Sequence, residues 1–330
     1  MRVILSDSTS AYYNLACEEY MATHYDEDMF MLWTSVPSIL IGKHQNTYSE
    51  INVDYVEANK IPVVRRMSGG GTVFCDLGNM NFTFIESNPA DYTDFEKFTK
   101  PILKYLRFLG VPAMFTGRND MTIDGKKISG NAQYRIKNKV IHHGTLLFDS
   151  SLSDLTKALT PRNEKFQDKA IKSVASRVTN ISNHLSHGPL TILEFKQGLY
   201  EFIGKNFEGF RYYPLSKEDQ EGIIRLVETK YETWSWNFGK SPKYNYKHCQ
   251  KFSGGLIEIG LNVNKGLIAE ISIQGDFFGY EPIETIESLL VGVRHEKLAL
   301  LEVLELIDLY PYMGQIRNEE LVRVIMGDGL

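Results

Sequence analysis

Two positively charged motifs in the sequence are candidates for binding an anion. The first places Arg65 and Arg66 shortly before three consecutive glycines, residues 69–71. Glycine in an ordered segment costs roughly 0.5–1 kcal/mol relative to alanine, so three together indicate a need for bare backbone. Backbone amides at such a turn can hold an anion, and arginine adds a two-pronged donor suited to a carboxylate or phosphate. The alternative is a glycine turn flanked by two solvated arginines.

Neighbouring residues of a strand point to opposite faces, so only one of the two arginines can reach a site on a given face. The second motif is the pair Lys126 and Lys127, which follows an Asp-Gly turn typical of a two-residue hairpin. Lys127 and Ser129 are predicted to share one face of the strand. A lysine beside a bound anion can stabilise a phosphoryl transition state; the alternative is a surface lysine on a hairpin.

Other reactive residue types lack the pattern of a catalytic or metal site. His142 and His143 alternate across a predicted strand with no carboxylate at ligand spacing, which predicts packing or hydrogen-bonding roles. Cys75 is a candidate nucleophile, but its local sequence offers no base, and inert buried cysteines are commoner. The GxSxG, HExxH and kinase patterns do not occur. The remaining set suits a substrate that is itself the nucleophile, such as a carboxylate attacking the α-phosphate of ATP.

Hydrophobic periodicity predicts the elements that must position these residues. Strands are predicted at 2–5, 29–34, 38–42, 62–66, 72–76, 80–86 and 234–239, with hairpins turning at 124–125, 137–138 and 264–266. Helices are predicted at 11–24, 53–59, 94–109, 151–159, 191–206, 216–230, 282–291, 295–308 and 318–326. The polar stretch 240–252 has no clear period and predicts a domain boundary.

Composition sets the class of protein. A length of 330 residues predicts two domains, and 43% apolar with 23% charged residues is ordinary for a globular chain. The net charge of −5 does not favour nucleic acid. No apolar run reaches the roughly 18 residues of a membrane span, and no signal-peptide pattern begins the chain, so we expect a cytoplasmic protein. Three scattered cysteines predict neither a disulfide framework nor a zinc site.

Several sequence blocks together resemble the lipoate–protein ligase family. The most specific are RRMSGGGTVFCDLGNMNFTF (65–84) and GRNDMTIDGKKISGNAQYR (117–135). Further blocks agree in the same order along nearly the whole chain: SDSTSAYYNLACEEY (6–20), IGKHQNTYSEIN (41–52), HHGTLLF (142–148), SVASRVTN (173–180) and WNFGKSP (236–242).

The resemblance implies an α+β fold. Its large domain is biotin/lipoate ligase-like, of the class II synthetase-like kind, with mixed sheets and outer helices, and a small α+β C-terminal accessory domain follows. We assign residues 1–245 to the first and 246–330 to the second. The implied reaction uses lipoate, ATP and Mg²⁺ to form lipoyl-adenylate, from which a carrier lysine takes the lipoyl group. The implied carriers are lipoyl domains of 2-oxoacid dehydrogenase acyltransferase subunits and the glycine cleavage H protein, and we expect a monomer.

The resemblance also implies roles for individual residues. Lys127 matches the catalytic lysine, and Asn119 and Asp120 match polar residues near the nucleotide that are candidate metal ligands. The ATP- and lipoate-binding set is Arg66, Gly69, Gly70, Gly71, Thr72, Val73, Phe74, Asn79, Ser129, Arg135 and His143. Two positions depart from the family pattern: Cys75 stands where many members have histidine, and Asn131 replaces a small residue.

Two other functions remain open on the sequence. One is an ATP-independent octanoyl or lipoyl transferase with Cys75 or Cys17 as nucleophile, although such enzymes generally lack the C-terminal domain. The other is a non-catalytic lipoate-binding protein, against which the intact set of Arg66, the glycines and Lys127 argues. We further expect apolar side chains near the glycines to line a tunnel for the lipoyl tail, and loops around 42–50 and 162–177 to order when ligand binds.

Overall fold

The protein, seen in a computed structural model, consists of an α+β body built on two sheets and a C-terminal α+β unit with a third sheet. The structure describes residues 1–45, 47–89, 94–117, 119–159, 177–206, 209–238, 246–264 and 266–327. In chain order the strands are β1 (Arg2–Leu5), β2 (Met29–Trp33), β3 (Ser38–Ile41), β4 (Val63–Arg65), β5 (Val73–Cys75), β6 (Asn79–Ser87), β7 (Met114–Thr116), β8 (Asp120–Ile123), β9 (Lys126–Ile136), β10 (Lys139–Leu147), β11 (Arg211–Tyr212), β12 (Tyr246–Phe252), β13 (Gly255–Asn264) and β14 (Leu267–Gly275).

Twelve α-helices lie within the described residues, together with a 3₁₀ turn at Ile181–His184 and a π-helical turn at Val227–Tyr231. They are α1 (Ala11–His24), α2 (Thr47–Glu50), α3 (Val53–Ala58), α4 (Phe95–Phe108), α5 (Leu152–Ala158), α6 (Ile192–Gly204), α7 (Lys217–Leu226), α8 (Trp234–Asn237), α9 (Glu284–Leu290), α10 (Lys297–Leu304), α11 (Tyr310–Met313) and α12 (Asn318–Met326). The predicted helices 11–24 and 94–109 are confirmed to within a residue at each end.

The large sheet has eight strands in the order β11-β1-β2-β6-β10-β9-β8-β7, with a parallel edge around β1 and antiparallel pairing elsewhere. Helices cover both faces, which explains why all five residues of β2 are buried. Phe30 and Leu32 pack with α4 and α6 in one core, whereas Met31 and Trp33 pack with α1 and α7 in the other. Alternation across the strand therefore supplies both cores.

A second, three-stranded sheet, β4-β3-β5, carries the glycine stretch between β4 and β5. Its outer side packs in a small core with Ile39, Ile41 and Val63. The hairpins β8–β9 and β9–β10 turn where predicted, and both turns use a left-handed residue, Asp124 (φ 49°) and Lys137 (φ 54°). The sheets thus bring the start of β9 and the glycine stretch into the same region.

The third sheet, β12-β13-β14, is antiparallel and packs against α9, α10 and α12 around its own core. The hairpin at 255–275 is confirmed. Strand β12 occupies the second half of the polar stretch 240–252, which shows no clear period in the sequence and predicts a domain boundary. It is an edge strand whose exposed positions carry polar residues such as Lys247 and Lys251, so no apolar alternation marks it. Residues 239–245 lie outside the described part of the chain, and the division at 245 stays a prediction.

The strand predicted at 234–239 is wrong, since Trp234–Asn237 forms the short helix α8. The hydroxyl of Thr233 caps it by accepting from the backbone N–H of Trp236. Large residues alternate here because Trp236 turns inward and donates its indole N–H to the carbonyl of Arg65, while Trp234 stays 65% exposed. Residues two apart lie on nearly opposite sides of a helix, whereas they would share a face on a strand, so the sequence pattern alone did not distinguish the two.

Candidate active site

A cavity of about 100 Å³ lies between the glycine stretch and strands β9 and β10. Eight residues predicted for the site line it: the polar or backbone-lined part contains Arg66, Gly70, Gly71, Thr72, Asn119, Lys127 and His143, and Val73 adds an apolar side chain. Its apolar wall contains Leu15, Trp33, Leu40 and Ala132. The cavity therefore joins a cationic end to an apolar end, which suits an acid with an alkyl tail.

The Arg66 guanidinium is buried and donates hydrogen bonds to carbonyls of the glycine stretch and to neighbouring acceptors. Its Nη2 donates to the carbonyls of Gly69 and Gly71 at 2.7 Å each, and its Nη1 donates to the carbonyl of Leu40 at 3.0 Å. Its Nε donates to Ser68 Oγ at 3.0 Å. Burial lowers its pKa to about 10, so the guanidinium stays charged at neutral pH. In this conformation Arg66 shapes the loop, and binding a ligand would require it to exchange one of these carbonyls.

The glycines permit two close approaches. Gly70 has φ of +86°, a conformation that side chains disfavour, and a Cβ there would lie 2.9 Å from the Phe278 ring. At Gly69 a Cβ would lie 2.3 Å from the carbonyl oxygen of Phe277. The C-terminal unit thus packs directly on the glycine stretch, and the backbone N–H of Gly70 donates a long hydrogen bond of 3.5 Å to the carbonyl of Phe277.

Thr72 ties the far end of the glycine stretch to the segment after β3. Its hydroxyl lies 2.9 Å from Gln45 Oε1 and 3.2 Å from Glu50 Oε2. Gln45 in turn accepts from the backbone N–H of Gly42 at 2.9 Å. These contacts explain why the block at 41–52 accompanies the glycine motif in the sequence.

Lys127 reaches the cavity from the start of β9, where it is the second residue of the strand. Its Nζ lies 2.8 Å from Asp120 Oδ1, and the two side chains are 39% and 36% exposed. The lysine chain crosses over Gly130, where an added Cβ would lie 3.1 Å from Nζ. Ile128, on the other face, is buried in the main core. Lys127 is therefore a half-exposed cation with one carboxylate partner, placed where an anion in the cavity can reach it.

A buried hydrogen-bonded chain closes the inner end of the cavity. Glu18 is 1% exposed and accepts from Thr83 Oγ1 at 2.5 Å. Its other oxygen is 2.9 Å from His143 Nδ1, and His143 Nε2 is 2.6 Å from Ser68 Oγ. With Nδ1–H donating to the carboxylate, Nε2 accepts the Ser68 hydroxyl, whose oxygen accepts from Arg66. A buried carboxylate thereby orients the histidine and the serine that support the arginine.

Arg65 occupies the opposite face, as the strand alternation predicts. It donates to the backbone carbonyls of Gly42, Lys43 and Gln45 and to Thr47 Oγ1. Burial lowers its pKa to about 10. Because both arginines are buried and fully engaged, the interpretation as two solvated arginines is wrong.

Six residues predicted for the site do not line this cavity: Gly69, Phe74, Asn79, Asp120, Ser129 and Arg135. Phe74 points into the small core behind β5. Asn79 bonds Asn81 Oδ1 at 3.1 Å, and Ser129 is buried beside Asn131. Alternation along β5 explains the position of Phe74, since Val73 faces the cavity and Phe74 faces the opposite side.

Arg135 lines a different and larger cavity of about 580 Å³, between the sheet and the C-terminal unit. It donates through Nε to the carbonyl of Lys137 at 2.8 Å, and its guanidinium lies 6.0 Å from the ring centroid of Tyr280. The structure therefore separates Arg135 from the cavity that contains Lys127.

Cys75 is completely buried. The polar partners of its thiol are the side chains of Asn79 and Asn81, and neither amide can serve as a base. Burial raises the pKa of the thiol to about 12. Cys17 is likewise buried and its pKa is raised, again chiefly by burial. Neither cysteine has the electropositive, accessible setting of a nucleophile.

The sequence alone did not single out the wall residues Leu15, Trp33 and Leu40, nor the pair Glu18 and Gln45. The blocks at 6–20 and 41–52 contain three of these five residues, Leu15, Glu18 and Gln45, so a signal was present at the level of the block. The part of the block 173–180 before Arg177, and most of the predicted loop 162–177, lie outside the described residues.

Comparison with known proteins agrees with this site. Residues 10–203 match the lipoyl protein ligase A/B catalytic domain, and residues 241–325 match the bacterial lipoate protein ligase C-terminus. The lipoate-protein ligase LplJ of Bacillus subtilis (strain 168) is 44% identical over 317 residues, which cover 94% of this chain and 96% of that protein.

Solved structures show the same fold. LipL1 of P. falciparum, in a crystal structure in complex with lipoate, superposes with a TM-score of 0.81 at 24% identity, over 99% of this chain and 100% of that one. A crystal structure of a lipoate-protein ligase A bound with ATP has a TM-score of 0.63 at 25% identity, over 72% of this chain and 98% of that one. Fold and site thus define a biotin/lipoate ligase-like enzyme of the ligase class. The chain belongs to the lipoate-protein ligase family.

Proposed function

We propose that this protein is an ATP-dependent, AMP-forming lipoate–protein ligase. The observation that carries the proposal is the meeting of Lys127 with the Arg66-supported glycine stretch at one cavity whose other wall is apolar. That arrangement suits a carboxylate with an alkyl tail held beside a nucleotide phosphate. Family membership and the ATP-bound relative support it.

The reaction has two steps. A lipoate carboxylate oxygen attacks the α-phosphate of ATP, and the bond from that phosphorus to the pyrophosphate oxygen breaks, which gives lipoyl-adenylate. The amine of a carrier lysine then attacks the acyl carbon, and AMP leaves. Lys127 lies where its ammonium can stabilise the negative charge that develops on the phosphate. The glycines allow the backbone to lie against the adenylate, and Leu15, Trp33 and Leu40 receive the tail. Burying an alkyl chain there contributes about 0.8 kcal/mol per CH₂.

Magnesium is part of the proposal through ATP. Mg²⁺ is usually held by one or two carboxylates together with substrate phosphates and water. Asp120 fits as such a carboxylate beside Lys127. Asn119 already donates its amide N–H to the carbonyl of Asn131, so only its amide oxygen suits a metal. Within the described residues, no three His, Cys, Asp or Glu side chains cluster to form a complete metal site.

We further propose that the acceptors are lipoyl domains of 2-oxoacid dehydrogenase acyltransferase subunits and the glycine cleavage H protein, that the protein acts as a monomer, and that it works in the cytoplasm. No helix in the described part of the chain is long and apolar enough to cross a membrane.

Lipoate- and ATP-dependent labelling of purified carrier domains, read by intact mass, tests the proposal. The expected result is addition of one lipoyl group, with pyrophosphate released only when lipoate and ATP are both present. Labelling by an acyl donor without ATP would support the transferase alternative instead. Tight lipoate binding without pyrophosphate release would support a non-catalytic binding protein.

A further inference from the structure

Asn131 and Asn119 form a reciprocal clasp beside Lys127. The side-chain N–H of Asn119 donates to the carbonyl of Asn131 at 2.6 Å, and the side-chain N–H of Asn131 donates to the carbonyl of Asn119 at 3.0 Å. The backbone N–H of Asn131 also donates to that carbonyl at 2.9 Å. Three bonds therefore hold the segment that precedes β8 against the middle of β9.

Hydrogen bonds from His142, which is itself bonded to Gln133, fix the orientation of the Asn131 side-chain amide. Its Oδ1 lies 3.2 Å from His142 Nε2, and His142 Nδ1 lies 3.0 Å from Gln133 Nε2. The amide nitrogen of Gln133 can only donate, so Nδ1 accepts, Nε2 carries the proton and Asn131 Oδ1 receives it. The His142 ring stacks on Phe98, with centroids 5.0 Å apart, and burial keeps its pKa well below the usual value. The neutral histidine thus directs the side-chain N–H groups of Asn131 towards Asn119 and Ser129.

The clasp controls the partner of Lys127. Asp120 follows Asn119 directly and pairs with Gly130 across the β8–β9 ladder. Lys127 crosses over that same Gly130 to place its ammonium 2.8 Å from Asp120. A bulge interrupts the ladder next to this point, between Met121 and Thr122, so strand pairing alone does not fix Asp120 firmly.

We propose that Asn131 is a positioning residue for adenylation: through Asn119 it holds Asp120 in place, and Asp120 aims the Lys127 ammonium. Asn131 lines the cavity, but its side-chain hydrogen bonds go to Asn119, Ser129 and His142. The inference rests on the proposed role of Lys127.

The test compares Asn131→Ala, Asp120→Asn and the double variant in lipoate-dependent pyrophosphate release. A misplacement of about 1 Å at a reacting group can cost up to about 100-fold, so we expect Asn131→Ala to lower kcat by about 10- to 100-fold while the KM for lipoate stays within about twofold. In the double variant, Asn131→Ala should add nothing to the loss from Asp120→Asn, since coupled residues are non-additive. Asn14→Ala is the matched control, because Asn14 is equally buried and bonds the carbonyls of Ser8 and Thr34; its kcat should stay at the wild-type value.

A wild-type kcat in Asn131→Ala, or multiplicative losses in the double variant, would overturn the inference. If the alanine variant does not fold, Asn131→Ser takes its place in the same cycle. A crystal structure of the Asn131→Ala variant provides a test that does not depend on activity. An unchanged distance of 2.8 Å between Lys127 Nζ and Asp120 Oδ1 would contradict the positioning role. Absence of pyrophosphate release from the wild type would instead refute the proposed function and leave the crystallographic arm to decide the positioning role.

Discussion

Arg66 and Lys127 line the same cavity and carry the same charge, yet they differ in burial and in the number of hydrogen-bond partners. Arg66 is 5% exposed and gives its guanidinium N–H groups to four acceptors of the surrounding loop. Lys127 is 39% exposed in its side chain and pairs with a carboxylate, Asp120, that is itself accessible. A planar guanidinium can organise several carbonyls at once, whereas a compact ammonium on a flexible stem can change partners.

The difference indicates a division of work. Arg66 builds the glycine stretch, and Lys127 acts on what that stretch holds. A substitution at Arg66 should therefore act first on folding, and a substitution at Lys127 should act first on rate. The same contrast extends to Arg65, which lies one residue away and joins the segments around Gly42 and Thr47 to the segment around Trp236.

The sharpest test of this contrast is Lys127→Ala. Losing a group that stabilises developing charge typically costs about 10²- to 10³-fold in rate, so we expect that loss in lipoate-dependent pyrophosphate release. Thermal unfolding should stay close to the wild type, because the side chain is half-exposed and its ion pair is worth little to stability. Lys126→Ala is the control, since that exposed neighbour faces the hairpin turn; its rate should not change. Wild-type pyrophosphate release in Lys127→Ala would remove Lys127 from the chemistry.

Arg66→Ala should show the opposite behaviour. It leaves buried carbonyls of Leu40, Gly69 and Gly71 without their donor, and disrupting a buried charge network typically costs about 3–5 kcal/mol. We expect a loss of at least about 3 kcal/mol in the free energy of unfolding, measured by urea denaturation, together with loss of lipoate binding. A variant that unfolds like the wild type but fails to bind ATP or lipoate would show that Arg66 serves the ligand rather than the loop.

Much of this architecture could be predicted from the sequence, and the failures have physical causes. Long periodic elements such as Ala11–His24 and turns with left-handed residues such as Asp124 carry local signals, and the structure has both where predicted. The opposite directions of Arg65 and Arg66 follow from strand alternation. The helix Trp234–Asn237 was not predicted because its conformation depends on a hydrogen bond from Trp236 to the backbone of Arg65, which is 171 residues away.

The candidate site divides in the same way. Its polar members lie in two compact sequence blocks, so residue type and spacing were informative. Its apolar wall comes from α1, β2 and β3, whose Leu15, Trp33 and Leu40 look like any other core residue until the fold brings them together. The placement of Arg135 in a second cavity depends on how the C-terminal unit packs, which local pattern does not encode.

The glycine stretch offers a finer test of the loop side of the comparison. Gly70→Ala introduces a Cβ at φ of +86° and 2.9 Å from Phe278, which should destabilise the protein by about 1–2 kcal/mol. Gly71→Ala is the matched control, since a Cβ there meets no atom within 4 Å, and its stability should change by less than about 0.5 kcal/mol. The two thermal denaturation curves measured side by side decide the point. Equal losses would mean that the need for bare backbone is not specific to the contact with the C-terminal unit.

The smallest expected effect comes from Cys75→Ala, and it separates the ligase from the cysteine-dependent transferase. The Cys75 thiol is fully buried, and burial raises its pKa to about 12, so very little thiolate exists at neutral pH. We expect ATP-dependent lipoylation within about twofold of the wild type and a stability loss of about 1 kcal/mol from the smaller side chain. Intact-mass kinetics on a carrier domain measures the first, and urea denaturation the second. Cys17→Ala, which removes the other buried thiol, extends the test to both cysteines of the transferase alternative. If either variant folded normally but stopped acyl transfer, a thiol and not the carboxylate of the substrate would be the nucleophile. Arg66 and Lys127 would then belong to a binding site, and the role of Lys127 in adenylate formation would be wrong.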